Sequence, residues 1–500
     1  MAKGIYCYID KENDKIVYVG KDSNINKNKR HRDHLAPSLY NAQPINRILQ
    51  NNPNRYIYQV LWEIDDCIDN YLNKMEIYYI KKYSPQFNLT EGGERVSGFR
   101  HSEETMEDFK FIDLFAGIGG FHQAMEQLGG ECVLASEIDK YAIETYGENY
   151  HINSQIDICD LKEEDVPEHD VLCAGFPCQA FSKAGKQLGF DDETRGTLFF
   201  EIERILKHHH PKYIILENVR NLASHDKGRT WKTIEEHLHK TGYRLTQNPL
   251  IISPHYFGTP QLRERVVILG IYDPENVDKP LNINMGHILK KDDNSIYSIL
   301  EEGKVDEKYY ISEYEEKVIT MWDEFYKGVD LKVIGFPVWF DWFKEEPPED
   351  VKPWKRDYIN KNNQLYQRNK EFVDSWIEKW DNLEWCVPTH RKFEWQAGDK
   401  IESLWDGLIQ FRPSGVRVKV PTCFPALVAM VQIPIIGKYK RRLTVREAAR
   451  LQDFPESFIP NENDQQAYKQ FGNAVNVEVI KRSAKSLFNY KDKKNEGPKS

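Results

Sequence analysis

The sequence predicts an α/β protein with a parallel sheet, preceded by a smaller α+β unit. A strand at 111–115 enters a glycine turn at 116–120 and is followed by a helix at 121–128, which is typical of a ligand-binding α/β sheet. Later apolar runs end in a thiol or a carboxylate, as expected of strands buried on both faces of a parallel sheet. Near the N-terminus, two β-rich runs flank a polar turn at 10–14 and predict a hairpin.

Length and composition exclude several classes of protein. The chain has 500 residues, which suggests two to four domains, and 40% of them are hydrophobic. We find neither an apolar run of about 18 residues nor a secretory h-region, so we expect no membrane span and no export. Eight scattered cysteines without paired CxxC spacing argue against a disulfide framework or a zinc module. The net charge of -10 excludes a uniformly basic nucleic-acid binder but not local basic grooves.

The first hundred residues contain a hairpin, a basic segment and a helix. The hairpin strands are predicted at 4–9 and 16–20, and the helix at 71–83 carries Glu76. In the basic segment, Arg30 and His34 are four residues apart and would share one face of a helix. Taken alone, such a pair is more often a solvated surface.

These motifs resemble the GIY-YIG nuclease family, with GIY at 4–6 and YVG at 18–20. The resemblance implies metal-dependent cleavage of DNA, in which Glu76 binds Mg²⁺ and Arg30 stabilises the phosphate. The remaining site residues that the resemblance implies are Tyr6 and Tyr18, which position or deprotonate the water, His34, which assists, and Asn88, which braces the site. Residues 1–94 would form this unit and 95–108 a linker. The alternative is an inactive nuclease that only binds DNA.

The strand–turn–helix at 111–128 is followed by a second strand at 131–136 that ends at Glu137. An acidic residue about 20 positions past a glycine turn suits ribose hydroxyls. A third strand is predicted to end at Asp157. The spacing alone does not distinguish a dinucleotide from S-adenosylmethionine, although the missing third glycine argues against NAD.

A thiol and a carboxylate follow two neighbouring strands of the predicted sheet. The apolar run 171–174 breaks at 175–177, directly before Cys178, and the strand 213–216 ends at Glu217. Chemistry in open α/β sheets occurs beyond the carboxyl ends of the strands, so Cys178 is a candidate nucleophile. The alternatives are a buried apolar cysteine and a helix-capping acid.

The order of the motifs from 109 to 481 resembles the DNA cytosine-C5 methyltransferases. The motifs are FAGIGG at 115–120, PCQ at 177–179, ENV at 217–219, QLRER at 261–265, RRLT through RLQDFP at 441–455 and GNAV at 472–475. Ile156 stands where the family usually has glycine. The resemblance implies an S-adenosylmethionine-dependent methyltransferase domain of Rossmann-like fold at 109–273 and 438–490, an inserted target-recognition domain at 274–437 and a disordered tail at 491–500.

The resemblance also implies the reaction. Cys178 would add to C6 of a cytosine while Glu217, held protonated, satisfies N3, and C5 would then take the methyl group. Asn218 would fix the loop, Arg265 would bond the cytosine edge and Arg263 would brace the nucleophile loop. Because the base is inaccessible inside a duplex, it must be flipped out.

The resemblance further implies two binding sets. Cofactor-binding residues would be Phe115, Gly117, Gly119, Gly120, Glu137, Ile138, Asp157, Asn473 and Ala474. Core packing is the alternative for Phe115, Ile138 and Ala474. DNA-binding residues would be Gln179, Ser182, Arg417 and Lys419, although Arg417 and Lys419 could equally be solvated loop charges.

The sequence thus predicts a restriction–modification fusion acting on double-stranded DNA in the prokaryotic cytoplasm, with no obligate protein partner. Alternatives are a methyltransferase with an inactive nuclease, a methyltransferase acting on tRNA, and a NAD-binding oxidoreductase, which leaves the PCQ and ENV motifs unexplained.

Overall fold

The computed structural model describes residues 2–36, 44–64, 69–83, 85, 87–88, 109–177, 197–286, 288–331, 334–427 and 433–491. Cys178, Gln179 and Ser182 lie outside these residues, as do the predicted linker at 95–108 and all but the first residue of the predicted tail. No helix among the described residues is both long and apolar enough to cross a membrane.

The N-terminal elements form one antiparallel sheet with helices on both faces. They are β1 (Lys3–Asp10), β2 (Lys15–Asp22), α1 (Lys29–Leu35), α2 (Pro44–Asn51), β3 (Tyr56–Ile64) and α3 (Asp69–Tyr83). The strand order is β2-β1-β3. Alternate side chains of β1 point to opposite faces, so that Ile5 packs with Leu72 and Met75 of α3 while Tyr6 packs with Ile45 of α2. The predicted hairpin and the helix that carries Glu76 are both confirmed.

The next part of the chain builds a seven-stranded sheet. Its elements are β4 (Phe109–Leu114), α4 (Gly120–Gln127), β5 (Gly130–Ser136), α5 (Lys140–Tyr150), β6 (Val171–Gly175), α6 (Thr197–His209), β7 (Tyr213–Val219), α7 (Arg229–Lys240), β8 (Tyr243–Leu245), β9 (Leu250–Ile252), β10 (Gln261–Leu262) and β11 (Arg265–Tyr272). The strand order of the sheet is β5-β4-β6-β7-β11-β8, with β9 also paired to β11, and β10 is not one of its seven strands. Strands β5, β4, β6 and β7 are parallel.

The predicted parallel sheet is present in β5, β4, β6 and β7, but β11 runs antiparallel to β7. Strand β9 pairs antiparallel with β11 and brings the chain to the carboxyl edge of the sheet, so β11 starts at that edge with Arg265 opposite Val219. An antiparallel neighbour needs no helical crossover. The sheet is therefore mixed.

The predicted strand ending at Asp157 is also wrong. Only a single bridge between Gln155 and Glu137 forms there. The amide of Gln155 binds the Asn153 side chain, and the amide of Ile156 binds the Ser154 carbonyl. These local bonds turn the backbone and compete with strand pairing.

The remainder forms a second sheet and returns to the first. Its elements are α8 (Glu313–Gly328), β12 (Val338–Trp339), α9 (Pro353–Arg368), α10 (Lys370–Lys379), β13 (Lys392–Gln396), β14 (Leu408–Arg412), β15 (Gly415–Lys419), β16 (Phe424–Pro425), β17 (Ile435–Ile436), β18 (Arg441–Arg442), α11 (Val445–Leu451), α12 (Asp464–Asn473) and α13 (Val477–Phe488). Six strands pair in the order β12-β13-β15-β14-β17-β18. An aromatic core that includes Trp322, Trp376 and Phe393 joins this sheet to α8 and α10. The helices α8, α9 and α10 of this segment were not predicted from the sequence.

Candidate functional site

The carboxyl ends of β6 and β7 place the loop that starts at Phe176 beside a carboxylate. Gly175 pairs with Glu217 in the parallel register. A Cβ atom at Gly175 would lie 3.9 Å from Glu217 Oε2, which confirms that the carboxylate lies beside the end of β6. Cys178 follows three residues later, outside the described residues. The structure thus places Glu217 at the start of the cysteine loop.

Glu217 is a buried carboxyl between two arginines. Its side chain is 13% exposed, and the Arg265 Nε lies 3.1 Å from its Oε1. Burial raises the pKa of Glu217, because removing a carboxylate from water disfavours its charged form, and the charges of Arg265 and Arg263 oppose this only in part. Glu217 can therefore hold a proton that an exposed glutamate would lose.

Asn218 and Arg263 connect this carboxyl to its surroundings. The side-chain amide of Asn218 donates to the Phe176 carbonyl at 2.9 Å, two residues before Cys178. The buried guanidinium of Arg263 donates to the carbonyls of Leu427, Gly472 and Ala474 at 3.2, 2.9 and 2.9 Å. The described contacts of Arg263 therefore reach the C-terminal part of the chain. The predicted contact with the nucleophile loop falls on residues outside the described ranges.

A second carboxylate faces the glycine turn after β4. Glu137 accepts the amide of Gly117 at 2.7 Å on Oε2, and the amides of Ile138 and Asp139 at 2.8 Å on Oε1. Asp139 in turn caps α5 by accepting from the amides of Tyr141 and Ala142. These bonds hold the Glu137 side chain against the glycine turn.

The glycine turn uses conformations and contacts that other residues do not accept. Phe115, Gly117 and Gly119 have φ of 56°, 55° and 84°, in the left-handed region. A Cβ atom at Gly119 would lie 2.3 Å from the Tyr150 ring, and one at Gly120 would lie 2.5 Å from the Val475 carbonyl. Around Gly117, by contrast, the space is open. Gly119 and Gly120 are therefore closely packed against Tyr150 and Val475, whereas the space beside Gly117 is open.

The residues at this edge fit S-adenosylmethionine. Beside the open space at Gly117 lie the half-buried Phe115 ring, the Glu137 carboxylate and Ile138, whose side chain is 73% exposed. These groups supply an aromatic face, a hydroxyl acceptor and an apolar contact for an adenosyl group. The other predicted cofactor residues are the exposed Asp157 and Asn473 and the buried Ala474.

The two predicted DNA contacts of the second sheet lie on β15. Arg417 is ion-paired with Glu394 at 2.6 Å, and burial lowers the pKa of Lys419. Gln179 and Ser182 lie outside the described residues. Arg417 would therefore have to exchange its carboxylate partner for a base or a phosphate.

The N-terminal unit contains a hydrogen-bonded chain that runs from β1 through α1 to α2. The Tyr6 hydroxyl lies 2.6 Å from His34 Nε2, and His34 Nδ1 lies 2.5 Å from the Asn46 side-chain oxygen. Because that oxygen only accepts, the His34 Nδ1 carries the hydrogen and the neutral ring accepts from Tyr6. Burial lowers the pKa of His34 and raises that of Tyr6 well above its usual value. Both groups are therefore neutral near pH 7.

The YVG stretch at 18–20 lies next to Tyr6. The rings of Tyr6 and Tyr18 are 6.3 Å apart. A Cβ atom at Gly20 would lie 2.6 Å from the Tyr6 hydroxyl, so only glycine fits there. Asn88 donates to the Val19 carbonyl at 2.8 Å and accepts from its amide at 2.9 Å, which ties the turn at 87–88 to β2. The predicted brace by Asn88 thus has a structural counterpart.

Glu76 and Arg30 flank the same sheet. Glu76 Oε2 lies 2.9 Å from the Nζ of Lys21, and the side chains are 13% and 6% exposed. The Arg30 amide is held by Asp22 at 2.9 Å. Burial raises the pKa of Tyr6, and the Arg30 charge opposes this rise only in small part. No group of three or more His, Cys, Asp or Glu within the described ranges is placed to hold a metal ion. Mg²⁺ nevertheless commonly binds one protein carboxylate together with several waters. Glu76 fits such a site when its carboxylate binds Mg²⁺ and Lys21 at the same time.

Sequence reasoning missed the partners of these residues. Lys21 directly follows the glycine of YVG, so its position in the motif was available as a signal. Asn46 was not foreseen, because it lies on α2, an element that the sequence did not predict. Tyr150, which supports Gly119, is one of several aromatic residues on α5 and carries no distinguishing signal.

The comparisons with known proteins cover the part of the chain that begins with β4. The model of the family described as C-5 cytosine-specific DNA methylase matches residues 109–489. The Type II methyltransferase M.AluI of Cellulosimicrobium cellulans is 35% identical over 474 residues, covering 75% of this chain and 90% of that protein. The Type II methyltransferase M.HgiCI of Herpetosiphon aurantiacus is 37% identical over 427 residues, covering 77% and 98%.

A more distant relative and a solved structure cover a similar share. The Type II methyltransferase M.HhaI of Haemophilus parahaemolyticus is 29% identical over 392 residues, covering 77% of this chain and 96% of that protein. The crystal structure of S. pombe Dnmt2 methyltransferase has a TM-score of 0.44 and 17% identity, covering 76% of this chain and 99% of that chain. From the family match and the first two relatives, the chain belongs to the C-5 cytosine-specific DNA methylase family.

Proposed function

We propose that this protein transfers a methyl group to C5 of a flipped-out cytosine in a specific double-stranded DNA sequence, through a covalent bond between Cys178 and C6. The observation that carries the proposal is the pairing of Gly175 with Glu217, which puts a buried carboxyl at the start of the cysteine loop. Together with family membership, this supports a thiol nucleophile and a proton donor acting on one base.

The chain's own residues account for the proton and electron movements. The Cys178 thiolate adds its electron pair to C6 and Glu217 gives its proton to N3, so the C5=C6 double bond becomes single and its electrons form a C4=C5 enamine. N3 returns this proton to Glu217 when the thiolate later leaves. S-adenosylmethionine, when bound, supplies a methyl group that is electrophilic because it is attached to a sulfonium. After transfer, C5 loses its proton to water or a base, and the electrons of that bond expel the Cys178 thiolate.

Three further side chains prepare this step. Arg265, 3.1 Å from Glu217, is placed to bond the edge of the base. Asn218 holds the Phe176 carbonyl and so orients the cysteine loop. Arg263 acts indirectly: it donates to the carbonyls of Gly472 and Ala474 and so holds these residues near the proposed cofactor site. In this account Arg263 is a positioning residue for the cofactor side of the site.

The cofactor would lie along the glycine turn. Phe115, Gly117, Glu137 and Ile138 supply the ring, the open space and the hydroxyl acceptor described above. Asp157 and Asn473, both exposed, would complete the contacts to the adenine and the methionine group.

The substrate is DNA of one sequence, and the biological setting is restriction–modification inside a prokaryotic cell. The relatives are Type II methyltransferases by name, which supports this setting. Gln179 and Ser182 would contact DNA from the cysteine loop, and Arg417 and Lys419 from β15.

The test is tritium transfer from labelled S-adenosylmethionine to plasmid DNA and, in parallel, to tRNA. We expect label in DNA, and we expect Cys178→Ser to abolish it by at least about 10⁴-fold while DNA binding is kept. Label in tRNA alone would support the rival substrate. A fully active Cys178→Ser variant would contradict the nucleophile. Bisulfite sequencing of the methylated plasmid then identifies the target sequence.

We further propose that residues 1–94 form a Mg²⁺-dependent DNA nuclease of the GIY-YIG type. The supporting observation is the chain from Tyr6 through His34 to Asn46, in which a neutral imidazole accepts from a tyrosine hydroxyl. His34 can thereby draw the Tyr6 proton while Tyr6 removes one from water. Arg30 would neutralise the phosphate, Tyr18 would position the water, and Glu76 would hold Mg²⁺, which polarises the phosphate when bound.

This second proposal is tested by magnesium-dependent cleavage of unmethylated DNA. We expect Glu76→Gln to abolish cleavage and leave methylation intact. Glu63→Gln is a matched control, because Glu63 is an exposed glutamate of β3 in the same unit. Absence of cleavage by the wild-type protein, with DNA binding by residues 1–94 retained, would support the inactive nuclease instead.

A further inference from the structure

Two buried histidines meet at the amino edge of the seven-stranded sheet, opposite the candidate methyltransferase site. His169 precedes β6 and is 8% exposed. His209 is the last residue of α6, and its side chain is 4% exposed. Their ring centres are 5.2 Å apart with an interplanar angle of 50°. Neither residue belongs to the sites described above.

The hydrogen bonds of the two rings define their tautomers. His169 Nδ1 lies 2.8 Å from the Pro167 carbonyl, and His209 Nε2 lies 2.8 Å from the Glu163 carbonyl. A carbonyl oxygen only accepts, so each of these nitrogens carries the hydrogen. In a neutral ring the other nitrogen then presents a bare lone pair. These lone pairs belong to His169 Nε2 and His209 Nδ1.

Both of these nitrogens are buried, and neither has a hydrogen-bond partner among the residues that the structure describes. Leaving a buried acceptor unpaired costs about 1–3 kcal/mol. Two such acceptors on rings whose centres are 5.2 Å apart therefore favour a shared ligand. A histidine that binds a metal commonly donates its other N–H to a backbone carbonyl or a carboxylate. Both histidines already have that arrangement.

We propose that His169 Nε2 and His209 Nδ1 bind one divalent transition-metal cation, with Zn²⁺ as the representative ion. Zinc–imidazole bonds of about 2.0 Å at a tetrahedral angle place two ring centres about 5 Å apart. The observed separation of 5.2 Å agrees with that spacing. Transition-metal cations such as Zn²⁺ bind neutral imidazole nitrogens well, whereas hard ions such as Mg²⁺ prefer oxygen ligands.

Glu168 is the third ligand. Its Oε1 lies 3.8 Å from His209 Nδ1, and its side chain is 93% exposed, so rotation toward the nitrogens is unhindered by packing. Among described residues, no three such side chains are already arranged as a metal centre, so metal binding itself must bring Glu168 in. Water would fill the fourth position.

The experiment compares metal-dependent melting of the full-length protein without a histidine tag, in ZnCl₂ and in EDTA. Two variants keep the N–H and remove the lone pair: His169→Asn retains a donor near Pro167, and His209→Gln retains one near Glu163. His208→Gln is the matched control, because His208 is the exposed neighbour of His209. Comparison within each variant separates metal binding from any loss of folding stability.

We expect Zn²⁺ to raise the melting temperature of the wild type and His208→Gln by about 5 °C, and that of the other two variants by less than about 1 °C. Calorimetric titration should show at least about tenfold weaker binding for His169→Asn and His209→Gln. An equal shift in wild type and His209→Gln would overturn the proposal, as would no shift in wild type at about 1 mM Zn²⁺. The first result would mean that Zn²⁺ binds elsewhere in the protein, and the second that these nitrogens do not bind it.

Discussion

The N-terminal unit and the methyltransferase part both use burial to keep ionisable groups neutral, but the groups respond to pH in opposite directions. In the N-terminal unit burial lowers the pKa of His34, so the neutral form is lost when the pH falls. In the methyltransferase part burial raises the pKa of Glu217 and of Asp453, so the neutral form is lost when the pH rises. The same physical cause therefore gives a proton acceptor in one region and a proton donor in the other.

The difference follows from the residue type and its partners. A neutral imidazole with Nδ1 bound to Asn46 offers a lone pair to Tyr6. A carboxyl in a poorly solvated site offers a hydrogen instead, and Arg265 and Arg263 keep its pKa from rising further. Each of the following experiments tests this contrast.

The largest effect is expected for Glu217→Gln. The amide keeps the size of the side chain and can donate to N3, but it has no transferable proton. Methyl transfer should fall by about 10²–10⁴-fold, measured as tritium incorporation into DNA at saturating cofactor. Glu264→Gln is the control, because Glu264 is 38% exposed and pairs with Arg220 on the surface. Activity of Glu217→Gln within about twofold of wild type would remove Glu217 as the proton donor.

An intermediate effect is expected for Gly119→Ala. Its Cβ atom would lie 2.3 Å from Tyr150 in a left-handed conformation, so both the turn and its support must move. Cofactor affinity should fall by at least about tenfold, measured by calorimetric titration of S-adenosylmethionine. The double variant Gly119→Ala/Tyr150→Ala keeps the backbone strain and removes the clash, so it separates the two causes. Equal losses in the single and the double variant would attribute the effect to backbone strain alone.

A smaller effect is expected from the pH dependence of stability around Asp453. Burial raises the pKa of this residue from 3.8 to about 7, although Thr259 at 2.8 Å and Asn476 at 2.7 Å donate to it. Because its folded pKa lies above the unfolded value, its contribution is complete below about pH 4 and is lost as the pH rises toward 7. The unfolding free energy of the methyltransferase part should fall by up to about 4 kcal/mol over this range. In calorimetric scans, Asp453→Asn should flatten that slope, and an unchanged slope would exclude Asp453 as its source.

The smallest effect is expected for the N-terminal unit in acid. The folded pKa of His34 is lowered, so its contribution is complete above about pH 6.5 and is lost as the pH falls through the folded pKa. Proteolytic cleavage within residues 1–94 should accelerate about two- to tenfold between pH 7 and pH 5. His34→Gln should reduce this acceleration, since glutamine does not titrate. An N-terminal unit that is more resistant at pH 5 would reverse the comparison.

The sequence was informative where chemistry demands particular residues in a particular order. The hairpin, the helix of Glu76 and the strand that ends at Glu217 were all predicted within a few residues. Predictions failed where long-range pairing decides the structure. Strand β3 joins the N-terminal sheet through contacts with β1, 46 or more residues away in the chain, and the direction of β11 depends on where β9 delivers the chain. No local pattern contains that information.

The Lys21–Glu76 pair and the Tyr6–His34–Asn46 chain illustrate the same limit in the site. Each contact joins residues from different elements, so sequence spacing alone could suggest the members but not the partners. For Cys178, the sequence predicts the role, and the structure describes only Gly175 of the preceding strand and its pairing with Glu217.

The buried guanidinium of Arg263 has a consequence for how the chain could be divided. It binds carbonyls 164, 209 and 211 positions further along, and α13 packs with α4 and β11 in one core. A truncation after residue 437 would thus remove the last three helices of the methyltransferase part and two of the three carbonyls that bind the buried Arg263 guanidinium. Two separately produced pieces split near that point should regain activity only on mixing.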